Sequence, residues 1–105
     1  MTDDAPTALI AADTGSPNYQ LVEKRLRRLA DRLGYSVIAL CLPNSTLIAD
    51  TIHRWRDDGL LIDGLIVDTR DGIDLDVLLP MLCEIVTATP GMCYSRWSEE
   101  PLRDE

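Results

Sequence analysis

The chain has 105 residues, 46% of them apolar, and a formal net charge of −8. This is the size and composition of one globular domain; it excludes a wholly disordered chain and disfavours non-specific binding to nucleic acid. No apolar stretch reaches the roughly 20 residues of a membrane-spanning helix, and the acidic start Met-Thr-Asp-Asp is not that of a signal peptide.

Residues 1–6 read as a frayed tail. "TALIAA" (7–12) reads as a short buried strand. "NYQLVEKRLRRLADRLG" (18–34) reads as a helix. In it Val22, Leu26, Leu29 and Leu33 form one apolar stripe, with Asn18 as N-cap and Gly34 just past the end. "YSVIALCL" (35–42) is a second strand, rich in aliphatic and β-branched residues and ended by Pro43. "STLIADTIHRWRDDG" (45–59) is a second helix, capped by Ser45 and stopped by Gly59, with Ile48, Ile52 and Trp55 facing inward.

"IDGLIVDT" (62–69) is a third strand. "DLDVLLPMLCEIVTA" (74–88) reads as a third helix that Pro80 either kinks or forces to start later than Asp74. "GMCYSRW" (91–97) is a fourth strand or an extended tail, and 98–105 a frayed acidic tail. The order is β-α-β-α-β-α-β. It predicts a small doubly wound α/β domain: four parallel strands in the order 2-1-3-4, flavodoxin-like, with helices on both faces.

Cys41, Cys83 and Cys93 lie in apolar stretches without CxxC spacing, and His53 is the only histidine. This predicts reduced, buried thiols, no zinc and a cytoplasmic location. His53 reads as a surface residue and Trp55 as core.

Ligands in such a sheet bind beyond the carboxyl ends of the strands, where strand order reverses. That places Asp13, Thr14, Gly15 and Ser16 beside Asp68, Thr69 and Arg70. The aspartates are either turn and cap acceptors or the ligands of a Mg²⁺ ion. "DTGSPN" (13–18) is neither a dinucleotide fingerprint nor a phosphate loop, and Ser16 has no base nearby in sequence. Helix 1 carries Lys24, Arg25, Arg27, Arg28 and Arg32 on an otherwise acidic chain. They are either a solvated face or a contact for phosphate or an acidic partner, for which Lys24, Arg25, Arg28 and Arg32 are the candidates.

The "LIVD" ending at Asp68 resembles the phosphoacceptor strand of response-regulator receiver domains. That resemblance implies Mg²⁺ held by Asp13 and Asp68 and phosphorylation of Asp68. The chain departs from it: the acidic pair after strand 1 is reduced to Asp13, and the sole lysine, Lys24, is on helix 1.

A wider resemblance runs over residues 7–97. The first strand, "VEKRLRRLADRLGYSVIAL", a short helix ending in "WRDDG", and "IDGLIVDTRDG" with the helix after it resemble the catalytic domain of serine recombinases (resolvases and invertases) in a degenerate form. The family places an Arg and a nucleophilic Ser after strand 1; "LIAADTGS" has no Arg, and Ser16 lies too far along. The family's Asp-Arg and further Arg after strand 3 are reduced to Asp68 and Arg70. Phosphodiester chemistry needs several guanidinium groups around the phosphate, whereas Asp13 and Asp71 would repel it. The long helix and DNA-binding domain that complete that family's members have no counterpart in this chain.

The expectation is therefore a non-catalytic, recombinase-like domain, soluble and without a cofactor, that acts as a protein-binding or regulatory module. A homodimer is expected on the fourth strand, through Cys93, Tyr94 and Trp97, because an unprotected apolar edge is a template for pairing. The alternative occupant of that edge is the acidic tail folding back.

Overall fold

A computed structural model describes residues 5–89 and 91–102. The expectations for residues 1–4, for Asp104 and Glu105 and for the Cys41 side chain lie outside it. The strands are β1 (Thr7–Ala11), β2 (Ser36–Cys41), β3 (Gly64–Val67), β4 (Glu84–Ala88), β5 (Gly91–Tyr94) and β6 (Glu99–Pro101). The helices are α1 (Tyr19–Leu33), α2 (Ser45–Asp57) and the short α3 (Leu75–Leu78), which runs into a 3₁₀ turn at Leu79–Met81.

The α/β class is as expected; the sheet is not the small parallel one. It has six strands in the order β2-β1-β3-β4-β5-β6 and is mixed: β2, β1, β3 and β4 run parallel, and β5 and β6 return antiparallel. The strand beside β3 is residues 84–88, read from sequence as helix; residues 91–94 come fifth. Pro80 is the cause. It lacks the N–H that a continuing helix needs, so the α-helix ends at Leu78 and a 3₁₀ turn succeeds it. Ile85, Val86 and Thr87 are all β-branched and take the strand conformation.

Residues 99–101, expected to fray, pair with β5 as Tyr94↔Glu99 and Cys93↔Glu100. A tight turn makes this possible: Ser95 N–H donates to the Ser98 carbonyl at 2.8 Å, and Ser95 Oγ accepts from Trp97 and Ser98 N–H at 3.3 and 3.1 Å. So β5 is not an edge. The edges are β2 and β6. Tyr94 is buried, Cys93 half-buried, and Trp97, in the turn, is 83% exposed.

Alternation along the strands divides the core. Leu9, Ala11, Leu65, Val67 and Ile85 face α2 and α3 and pack with Ile48, Ile52 and Leu78. Ala8, Ile10, Ile66 and Val86 face α1 and pack with Leu26, Leu29 and Ala30. Leu33 leaves the predicted stripe and is exposed. Gly34 ends α1 with φ +83°, and Tyr35 N–H donates back to the Ala30 carbonyl at 2.9 Å.

Two caps differ from expectation. Asn18 makes no side-chain cap on α1. On α2 the cap is Asn44, whose Oδ1 accepts from Leu47 N–H at 3.1 Å. Ser45 instead ties α2 to the loop before α3: its Oγ donates to the Gly72 carbonyl and accepts from Asp74 N–H, at 3.1 and 2.7 Å. Cys83, expected buried, is exposed in the bend before β4. Among the described residues no helix is long and apolar enough to cross a membrane.

Candidate functional site

The carboxyl ends of β1 and β3 meet where strand order reverses, as the sequence suggests. The segment leaving β1 is a turn. Asp13 Oδ1 accepts from Gly15 N–H at 2.9 Å, the Asp13 carbonyl accepts from Ser16 N–H at 3.0 Å, and Ser16 Oγ accepts from Asn18 N–H at 3.2 Å. The Asp13 carboxylate and the Ser16 hydroxyl thus both shape the entry to α1.

Asp68, after β3, is engaged as well. Its Oδ1 accepts from Arg25 Nη1 at 3.0 Å and from Thr89 Oγ1 at 3.3 Å. Arg70 lies over the Tyr94 ring, its Cζ 5.1 Å from the centroid. Asp71 N–H donates to Thr69 Oγ1 at 3.2 Å. Among the described residues no three His, Cys, Asp or Glu side chains converge on one point. His53 is exposed on α2.

The basic residues of α1 are brought together. Lys24, Arg25, Arg28 and Arg32 line one side of a groove of about 760 Å³, within the ~300–1,000 Å³ range of ligand sites. Leu21 and Leu29 complete that side; Ala88, Gly91 and Leu102 form the other. The second side depends on the β6 return: Leu102 N–H donates to the Gly91 carbonyl at 2.9 Å, and a Cβ on Gly91 would stand 3.5 Å from the Leu102 side chain. Of the four cations only Arg25 has an ion-pair partner among the described residues; Arg27, outside the groove, pairs with Glu23 at 2.9 Å. Lys24, Arg28 and Arg32 therefore concentrate positive charge on a chain of net charge −8.

A second polar cluster escaped the sequence. Tyr35 Oη donates to Glu84 Oε2, and Cys93 Sγ donates to Glu84 Oε1 at 2.9 Å. Burial pushes the Cys93 thiol up to about 12, helped by the hydrogen bond to the Glu84 carboxylate and its charge. Burial and the same carboxylate raise the Tyr35 phenol. Both groups are held protonated, so Cys93 is a hydrogen-bond donor to Glu84 rather than a nucleophile. The available signal was Glu84 itself, a lone charge in the run "LLPMLCEIVTA" (78–88). Gly64 makes room for this cluster: a Cβ there would lie 2.7 Å from Tyr35 Oη.

The architecture is that of an α/β domain with a mixed six-stranded sheet and a basic groove beside its first helix. No known protein family, curated protein or solved structure matches the chain.

Proposed function

We propose that this chain is a non-catalytic, serine-recombinase-like binding or regulatory module that engages an anionic partner through the α1 groove. The observation that carries this is the convergence of Lys24, Arg25, Arg28 and Arg32 on one groove, three of them without an ion-pair partner among the described residues. The recombinase-like lineage rests on the sequence pattern of residues 7–97. The absence of catalysis is inferred from the rim: Ser16 is used in a turn, and Asp13 and Asp71 stand where phosphodiester chemistry needs cations.

The runner-up is a receiver-like Mg²⁺ site. It is favoured by Asp13 and Asp68 lying just past adjacent parallel strands at the reversal of strand order. Against it, Arg25 and Thr89 already occupy Asp68 Oδ1.

The test is a titration of the isotope-labelled protein with sodium polyglutamate at low salt. Saturable amide shifts are expected along α1 and at Gly91, weakened by salt and lost when Arg28→Glu is combined with Arg32→Glu. No saturable shift, or shifts indifferent to the double substitution, would overturn the proposal.

A further inference from the structure

Two chemistries lie side by side in the α1 groove. Lys24, Arg28 and Arg32 recur every four residues, so at about 1.5 Å of rise per residue the row is about 12 Å long. A single phosphate or carboxylate cannot span it; the row fits an elongated ligand with several negative charges. Beside the row are aliphatic surfaces: Leu21, 66% exposed one turn before Lys24, and Ala88 and Leu102 opposite.

A polynucleotide supplies the charges but not the complement to the rest. Single strands are held by stacking bases on aromatic rings, and among the described residues the groove is lined by Leu, Ala, Gly, Lys and Arg, with no aromatic side chain. The net charge of −8 also repels a long polyanion, whereas a short segment meets chiefly the local field of the groove. Arg supplies three of the four cations, and its planar fork matches a carboxylate bidentately.

We propose that the groove receives an acidic peptide segment of a partner protein, in which Asp or Glu side chains are interleaved with aliphatic ones. This rests on the anionic-partner reading and names its ligand. The carboxylates face Lys24, Arg25, Arg28 and Arg32, while the aliphatic side chains cover Leu21, Ala88 and Leu102.

The experiment selects a displayed library of random short peptides on the full chain. The recovered peptides are then compared on the wild type, on Arg28→Glu with Arg32→Glu, and on Leu21→Ser. Oligothymidylate is titrated in parallel. The substituted residues are exposed, and each change should leave the melting temperature unchanged, checked by thermal melts.

Recovered peptides should be rich in Asp or Glu alternating with Leu, Ile, Val or Met. They should shift amides of α1 and Gly91, and bind the charge-reversed protein about tenfold more weakly or worse. Leu21→Ser should weaken the peptides by a larger factor than it weakens polyglutamate. Recovered peptides without an acidic bias, peptides indifferent to charge reversal, or oligothymidylate binding the same residues more tightly would each overturn the inference. The oligothymidylate outcome would leave the anionic-partner reading standing; failure of polyglutamate to bind would remove both.

Discussion

Arg25 Nη1 stands 3.0 Å from Asp68 Oδ1 and joins the middle of α1 to the end of β3. The two side chains are 54% and 30% exposed, so solvent screens the pair and its contribution to stability is small, about 0.2–1 kcal/mol. Its larger effect is on the rim, where the guanidinium occupies one oxygen of the Asp68 carboxylate and places a positive charge beside the other. Millimolar Mg²⁺ is therefore expected to leave the melting temperature unchanged in the wild type. A functioning receiver-like site would instead give about 2.7 kcal/mol at a hundredfold excess over Kd, lost in Asp68→Asn. Thermal melts with and without Mg²⁺ decide between the two.

Gly64 is where β3 passes beneath the Tyr35 ring. A Cβ there would come within 2.7 Å of Oη and 2.8 Å of Cζ. Gly64→Ala should therefore destabilise the fold by about 1–3 kcal/mol through overpacking. Adding Tyr35→Phe removes the hydroxyl but not Cζ, so it should recover only part of the loss. Denaturant unfolding of the single and double variants measures both.

Alkaline pH should weaken the fold through the Glu84 cluster. Cys93 is raised from 9.0 to about 12 in the folded protein, and Tyr35 is raised as well. As pH climbs above 9, the unfolded chain loses these protons while the folded one keeps them, so stability falls across pH 9 to 12. Cys93→Ala should flatten part of that fall. In the native protein near pH 8, a thiol reagent should modify the exposed Cys83 well before Cys93. Unfolding curves against pH and timed mass spectrometry check the two statements.

The outer strand β6 is Glu-Glu-Pro, a sequence that blunts an edge by charge and by a missing N–H. Replacing Glu99 and Glu100 together by Val should turn it into an apolar edge and cause concentration-dependent association. Sedimentation of the wild type and the double variant at matched concentrations tests this, and identical behaviour would refute it.

The first half of the chain was legible because its signals agree. Leu26 and Leu29 at helical spacing, Gly34 past the helix end, and unbroken aliphatic runs in β1 and β3 all point one way. The second half was not, because Leu82 to Ala88 is an apolar run that suits a buried helix or a strand equally. Pro80 was seen as a fault in a helix, while it marks the helix end. β6 was missed because Glu and Pro are depleted in strands, and only the Ser95–Ser98 turn brings them into register. The groove was half legible for the same reason. Its basic side is local to one helix, whereas Ala88, Gly91 and Leu102 join it only through the β6 return.

The sheet has one blunted margin and one plain one. β6 presents Glu99, Glu100 and Pro101, while β2, at the far side, reads Ser-Val-Ile-Ala-Leu-Cys with no charge and no proline. Growth of a sheet into a fibre requires every subunit to accept a neighbour on both margins. Among the described residues, a pairing at β2 would use the one uncharged margin of each copy and leave Glu-Glu-Pro on the outside, so edge addition would end at two chains. The Glu-Glu-Pro segment would then act as a chain terminator for polymerisation, whatever the protein meets through α1.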